Sequence, residues 1–316
     1  MTLAPYAPPA KWGREFEDLA ARVGGEILDY GASVEGRTLR ALRIPGTRGG
    51  LPRALCAANI HGVEVIGTHV VLTLLRRLAA GDPEVAWIRD RVELLLLPSL
   101  NPDAQERTFA REGHGALPEL RANHRGVDLN RNYPLPFGAR PSRLPGAGSS
   151  RPGDATYRGE APLSEPETRA LADLLAELRP RVSANLHSFM GTLIPASVRD
   201  RPSFRAYAGL CRAFRAAQAR TRYRRLSSRI FDVYTGEQED YQHHVLDGWA
   251  VCVELFSIFQ SYGQHLRAPS LFWRFNPRDP DRLAAHDLPG ILALLRAGAD
   301  LPAPSALAGA NALPGR

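Results

Sequence analysis

The sequence predicts an α/β protein built on one sheet with helices on both of its faces. Three observations carry this. Short apolar runs of strand length alternate with longer amphipathic segments along 316 residues. Hydrophobic residues make up 44% and charged residues 23%, the balance of a soluble globular chain. No stretch of about 18 apolar residues occurs, so no membrane span is expected.

The elements follow in order. A helix is expected over 11–23, then strands over 37–44 and 53–60. "RALCAA" in the second of these reads as a buried strand. "VIGTHVVLTLLRRLAA" is long enough for a helix, over 64–79, and precedes a strand over 92–98. "SEPE" starts a helix over 165–178, with Ser164 as N-cap, Pro166 in the first turn and Glu167 as capping-box partner. A strand over 181–187, a helix over 203–219, a strand over 249–255 and a helix over 285–297 complete the pattern. Residues 134–162 are rich in Pro, Gly, Arg and Ser and read as a long surface loop of functional type. Residues 1–300 read as a single domain and 301–316 as a loosely ordered tail.

The net charge of +7 comes almost entirely from arginine; Lys11 is the single lysine. A basic balance alone is weak evidence for nucleic acid, and the one dense cluster, "RTRYRRLSSR" at 220–229, has no nucleic-acid-binding motif around it. No nucleic-acid partner is expected. The first residues lack an apolar core behind a basic start, which argues against a signal peptide. Cys56, Cys211 and Cys252 cannot form a full disulfide framework, so a reducing cytoplasm is the simplest location.

The chemistry begins at "NIHGVEV", 59–65, where a strand meets a helix. Imidazole and carboxylate both bind zinc, and His61 and Glu64 across a first helical turn can converge on one ion. A loop histidine followed by a first-turn glutamate at the positive end of a helix dipole would look the same. A catalytic zinc needs a third protein ligand, and His187 in "SANLHSF" lies at another strand end, where ligands of open α/β sheets collect. "RANHRGVDLNRNYP", 121–134, groups Arg121, Asn123, Asp128, Asn130, Arg131 and Asn132. Arginine forks suit carboxylates and oxyanions. "WAVCVELF" places Glu254 in an otherwise apolar strand, a costly position unless the carboxylate has a partner or a task. Work as a general base would be such a task.

Taken together, "HGVE", "NPDA", "RANHRGVDLNRN", "YRGEAPLSEPET", "NLHSF" and "VEL" resemble the M14 family of zinc metallocarboxypeptidases over roughly residues 33–260. "SVEGRTLRALRI" resembles the family's first motif. The resemblance implies a three-layer α/β/α fold with a mixed central sheet of about eight strands, and a single zinc ion per chain. It implies His61, Glu64 and His187 as zinc ligands, Glu254 as general base and Arg121 as the cation that polarises the scissile carbonyl. It makes Asn130 and Arg131 the grip on the substrate's terminal carboxylate and Asp128 the carboxylate that orients the first histidine. Tyr234 matches the mobile tyrosine that closes over substrate, with Tyr241 the alternative. The implied substrate is a peptide, or a peptide-like molecule, with a free carboxylate.

Glu239 falls at the family's side-chain selectivity position, one residue before Asp240. A carboxylate there favours lysine, arginine or the distal amine of diaminopimelate; the other placement is a solvent-facing acidic loop. Val63 departs from the digestive members, which carry an arginine there, and the compact spacing around 121–132 resembles bacterial members, murein peptide amidases included. Two further function classes stand beside the carboxypeptidase. One is a zinc-dependent small-molecule deacylase of the aspartoacylase or succinylglutamate desuccinylase type. The other is a binding module that has lost catalysis, and no implied ligand or base is substituted here.

Overall fold

A computed structural model gives the fold and describes residues 3–140, 146–218, 222–225 and 235–309. Its sheet has eight strands: β1 (Glu26–Ala32), β2 (Thr38–Ile44), β3 (Arg53–Ala58), β4 (Glu93–Leu97), β5 (Val182–Ser188), β6 (Thr192–Pro195), β7 (Arg224–Arg225) and β8 (Trp249–Leu255). The spatial order is β1-β2-β4-β3-β5-β8-β6-β7. The central strands β4, β3, β5 and β8 run parallel, and antiparallel pairs flank them on both sides. The sheet is therefore mixed and eight-stranded, as the resemblance implies.

Period-two side-chain alternation separates the two cores. Ala54, Cys56 and Ala58 of β3 face one core, which the helices Pro9–Arg22, Val65–Ala79, Arg201–Ala217 and Pro280–Ala299 cover. Leu55 and Ala57 face the other, with residues of the helix Pro166–Leu178 and with Tyr241. Both faces are covered, which is what lets near-continuous apolar strands such as Ala54–Ala58 and Leu94–Leu97 exist.

The predicted strands correspond to β2, β3, β4, β5 and β8. β1 was not expected because most of its residues are partly or fully exposed and show no apolar stripe. β6 and β7 are too short for periodicity to register, with 4 and 2 residues. Two expectations are corrected. The N-cap of the helix at 166 is Glu165, not Ser164: Asn132 takes the Glu165 N–H at 3.2 Å and donates to the Ser164 hydroxyl at 2.9 Å. Glu167 does not close a capping box, since its carboxylate accepts from the Val34 N–H and from Asn123. Of the tail expected over 301–316, residues 310–316 lie outside the described residues; a helix Pro304–Gly309 precedes them, and its Ser305 bonds the Asp247 carboxylate at 2.6 and 2.7 Å. Most of the arginine cluster at 220–229 lies outside the described residues.

The sheet also places the site. From β3 the chain crosses to β4 on one side and later to β5 on the other, so the strand order diverges between β3 and β5. A crevice forms at such a switch point, outside the carboxyl ends of the strands. The turn that leaves β3 there is built tightly. Asn59 adopts a left-handed φ of 59°, and its amide donates to the carbonyls of His61 and Gly62 at 3.0 and 3.2 Å. Gly62 lies against the helix Pro102–Ala110, where a Cβ would meet Ala104 Cβ at 2.3 Å and its carbonyl carbon at 2.5 Å. Asn276 clamps the far side, accepting from Ile66 N–H and donating to Val63 O, both at 2.8 Å. The segment 271–290, to which the sequence assigned no task, thus holds the turn in place.

Two glycine substitutions separate packing from helix propensity. Gly62→Ala is expected to cost about 1–3 kcal/mol, because backbone must shift to admit the methyl group. Gly13→Ala, in the helix Pro9–Arg22 with nothing within 4 Å of the new atom, is expected to stabilise by about 0.5–1 kcal/mol. Urea unfolding of both variants beside the parent tests this; equal effects of one sign would refute it.

Candidate active site

β5 and β8 form the floor. Their register pairs His187 with Glu254 and, one rung deeper, Asn185 with Cys252. Val182, Ala184 and Leu186 alternate with these on β5 and fill the opposite core, as do Val251, Val253 and Leu255 on β8. The same face of the sheet therefore turns polar where the two strands end.

His61, Glu64 and His187 meet above that floor, each 2–3% exposed. Their donor atoms lie within 4.8 Å of one another. Glu64 stands between the two imidazoles, with its Oε1 2.9 Å from His61 Nδ1 and its Oε2 3.2 Å from His187 Nδ1. The Ser188 N–H also donates to Oε2, at 3.2 Å. On its outer side, His61 Nε2 lies 3.1 Å from Asp128 Oδ1. With a cation on Nδ1 the ring proton would sit on Nε2, facing Asp128, which is the tautomer a metal ligand requires.

The electrostatics fit a cation at this point. Burial pushes the Glu64 carboxyl up, yet the flanking imidazoles prevail and hold it below the ordinary range. Burial disfavours the His187 imidazolium, but Glu64 outweighs it and raises that group to about 9. Two buried nitrogens and a buried carboxylate that together demand positive charge are a donor set suited to zinc.

Asp128 is fully buried and joins the parts. Its Oδ1 takes His61 Nε2 and the Asn130 N–H (3.0 Å), and its Oδ2 takes Arg121 Nε and Nη2, both at 2.9 Å. Burial opposes its charge, but Arg121 and His61 keep its carboxyl well below the usual range. Arg121 thereby lies with Nη1 3.8 Å from Glu64 Oε1, its side chain 15% exposed.

A cavity of about 360 Å³ opens beside these groups, and Arg121, Asn130, Arg131, Glu239 and Glu254 all line it. Glu254 is partly exposed, and its Oε2 has no hydrogen-bond partner among the described residues. Burial and the nearby Glu64 raise its carboxyl to about 7. Asn130 Oδ1 accepts from the Gln238 N–H at 2.8 Å, so its amide NH₂ is the end left for a ligand. Arg131 bonds the Asn130 carbonyl at 2.6 Å and the Gly146 carbonyl at 3.0 Å, and its Nη1 stands 3.2 Å from Glu237.

Glu239 does not face solvent. It is 1% exposed on the helix Gln238–His244; its Oε1 accepts from Asn185 at 2.8 Å, and its Oε2 has no partner among the described residues. Burial raises its carboxyl. Its neighbour Asp240 turns away and accepts from the Ser197 N–H at 2.7 Å. Tyr234 lies outside the described residues. Tyr241 is buried, its ring 5.3 Å from that of Tyr133, and does not line the cavity. Val63 is buried in a small core with Leu120 and Phe275.

Sequence reasoning missed Glu237, Cys252 and Phe275 as lining residues and Asn276 as the clamp. Cys252 was within reach of it: Asn185 and His187 on one strand, and Cys252 and Glu254 on the other, are spaced by two, which puts each pair on one face of its strand.

Comparison with known proteins gives the family and the fold. The chain is 34% identical over 191 residues to mouse carboxypeptidase D, a match covering 51% of this chain and 12% of that much longer protein. The crystal structure of carboxypeptidase A from Helicoverpa armigera superposes with a TM-score of 0.72 at 20% identity, covering 93% of this chain and 73% of that one. A Pseudomonas aeruginosa metallo-carboxypeptidase in complex with (2-guanidinoethylmercapto)succinic acid has the same fold at TM-score 0.57 and 19% identity, covering 90% and 69%. Residues 19–255 match the zinc carboxypeptidase family as a whole, and the chain belongs to that family, M14.

Proposed function

We propose that this protein is a zinc-dependent exopeptidase that hydrolyses the amide bond next to a free C-terminal carboxylate. One observation carries the reading. A three-donor metal cradle, a carboxylate with an unpartnered oxygen, and an arginine–asparagine pair all border one cavity of about 360 Å³. Such a cavity admits the end of a chain and one side chain, which suits exopeptidase rather than endopeptidase chemistry.

His61, Glu64 and His187 would hold the zinc; when bound it supplies Lewis acidity that polarises a carbonyl and acidifies water. The chain's own groups do the rest. Glu254, raised towards neutrality, takes a proton from the attacking water on Oε2 and returns it to the leaving amine. Arg121, held on Asp128, offers its Nη1 edge to the oxyanion that develops at the scissile carbonyl. Arg131 and the free NH₂ of Asn130 receive the terminal carboxylate and so set which bond is cut.

For the side chain, Glu239 supports a preference for a cationic group: lysine, arginine or the distal amine of diaminopimelate in murein peptides. It is a buried carboxylate with one oxygen unsatisfied in the cavity, a position that gains from an incoming cation. The (2-guanidinoethylmercapto)succinic acid in complex with the Pseudomonas structural neighbour likewise joins a guanidino group to carboxylic acids. The three cysteines are free and buried, which suits a reducing compartment. Among the described residues no helix is long and apolar enough to cross a membrane. The deacylase reading gains nothing from the family match, and the binding-module reading does not account for an unpartnered Glu254.

Three experiments test this. Release of the C-terminal residue from peptides ending in Lys, Phe or Glu, and from a γ-glutamyl-diaminopimelate tripeptide, should stop with a chelator and return with zinc. Glu254→Gln should lower kcat by about 10²–10⁴-fold with zinc still bound; a smaller loss would remove Glu254 as the base. Glu239→Gln should reduce the Lys-over-Phe ratio of kcat/KM by about 10-fold or more. An unchanged ratio would remove Glu239 as the selectivity residue.

A further inference from the structure

The terminal-carboxylate site already contains a carboxylate. Glu237 Oε1 stands 3.2 Å from Arg131 Nη1, the two side chains are 27% and 13% exposed, and both line the cavity. Glu237 occupies the N-cap position of the helix Gln238–His244, where an acidic side chain ordinarily bonds the first free N–H groups. It makes no such capping bond; its carboxylate goes to Arg131 instead. The pairing is built in. Gly236 adopts a φ of 88° and packs so closely that a Cβ would meet Arg131 O at 2.6 Å and Tyr133 O at 2.8 Å. The Tyr133 N–H donates to Gly236 O at 3.1 Å, and the Gln238 N–H to Asn130 Oδ1 at 2.8 Å. These contacts tie residues 236–238 to 130–133 on either side of Glu237.

Further Arg131 N–H groups are also engaged, with Nη1 on the Asn130 carbonyl and Nε and Nη2 on the Gly146 carbonyl. An arriving carboxylate thus finds a guanidinium already neutralised by a charge of its own kind. We propose that Glu237 is an affinity-setting residue, an internal carboxylate that holds Arg131 in the free protein and is displaced by the substrate's terminal carboxylate. The inference rests on the reading of Arg131 as the carboxylate site. It gives Glu237 a definite effect: it weakens binding of every carboxylate-terminated ligand and leaves the chemical step alone, because it touches neither Glu254 nor the metal cradle.

The test uses the zinc-loaded protein and its Glu237→Gln and Glu237→Ala variants. With peptides ending in Lys and in Phe, both variants should show KM lowered about 3- to 10-fold, the scale of one charged contact at a partly exposed site, with kcat little changed. Calorimetric titration with N-acetyl-lysine, which needs no turnover, should show Kd falling by the same factor. A raised KM would overturn the proposal and make Glu237 a residue that positions Arg131. Equal Kd in parent and variants would overturn it and leave the exopeptidase reading untouched. Binding to neither, together with no peptide cleavage, would remove the carboxylate site and this inference with it.

Discussion

The site depends on one buried carboxylate, that of Asp128. It has no exposure to solvent and accepts from His61, from Arg121 and from the backbone of Asn130. Without those donors an ionised group in this position would cost several kcal/mol or give up its charge. With them it fixes three groups at once. It bonds the outer nitrogen of His61, holds Arg121 beside Glu64, and caps the turn that carries Asn130 and Arg131. Loss of its charge would therefore free all three together.

The backbone brings these groups to one place for reasons unrelated to chemistry. A parallel sheet covered on both faces leaves open the carboxyl ends of its strands, and the strand order diverges between β3 and β5. His61 lies just past the end of β3, and His187 lies near the end of β5. Asn59, Gly62 and Asn276 then hold the β3 turn rigidly enough that two side chains from one short segment converge on a third from a neighbouring strand. Preorganisation of this kind keeps ligand geometry independent of what the cavity contains.

Legibility in the sequence followed the range of the interaction. His61 and Glu64 are three residues apart at a strand-to-helix junction, so their relation is local and readable. Glu254 is readable because a charge interrupts an apolar strand. The fold class was readable from alternation, and β1, β6 and β7 were not, because exposed or very short strands bury too little to pattern their residues. The role of Glu165 as N-cap was hidden because Asn132, far away in the chain, decides it. Glu239 could be placed at a position but not in an environment. Burial on the helix Gln238–His244 depends on Asn185 and the floor of the sheet, which no local window contains.

The carboxylates near the cavity divide by what neutralises them. Glu64 and Asp128 face imidazoles and a guanidinium, and both carboxyls are held below their ordinary range. Glu239 and Glu254 face the cavity with an unpartnered oxygen each, and both are raised by burial. The first pair is compensated in the free protein by side chains of the chain itself. In the proposed function the second pair is compensated by a ligand, with a substrate cation at Glu239 and a transferred proton at Glu254. Glu237 falls between the two groups, since its partner Arg131 is also the group on offer to the substrate. A site arranged this way recognises charge by exchange: each charge the substrate brings replaces one the protein already holds or satisfies one it left open. Affinity then depends on how firmly Arg131 is already held, as well as on which groups line the cavity.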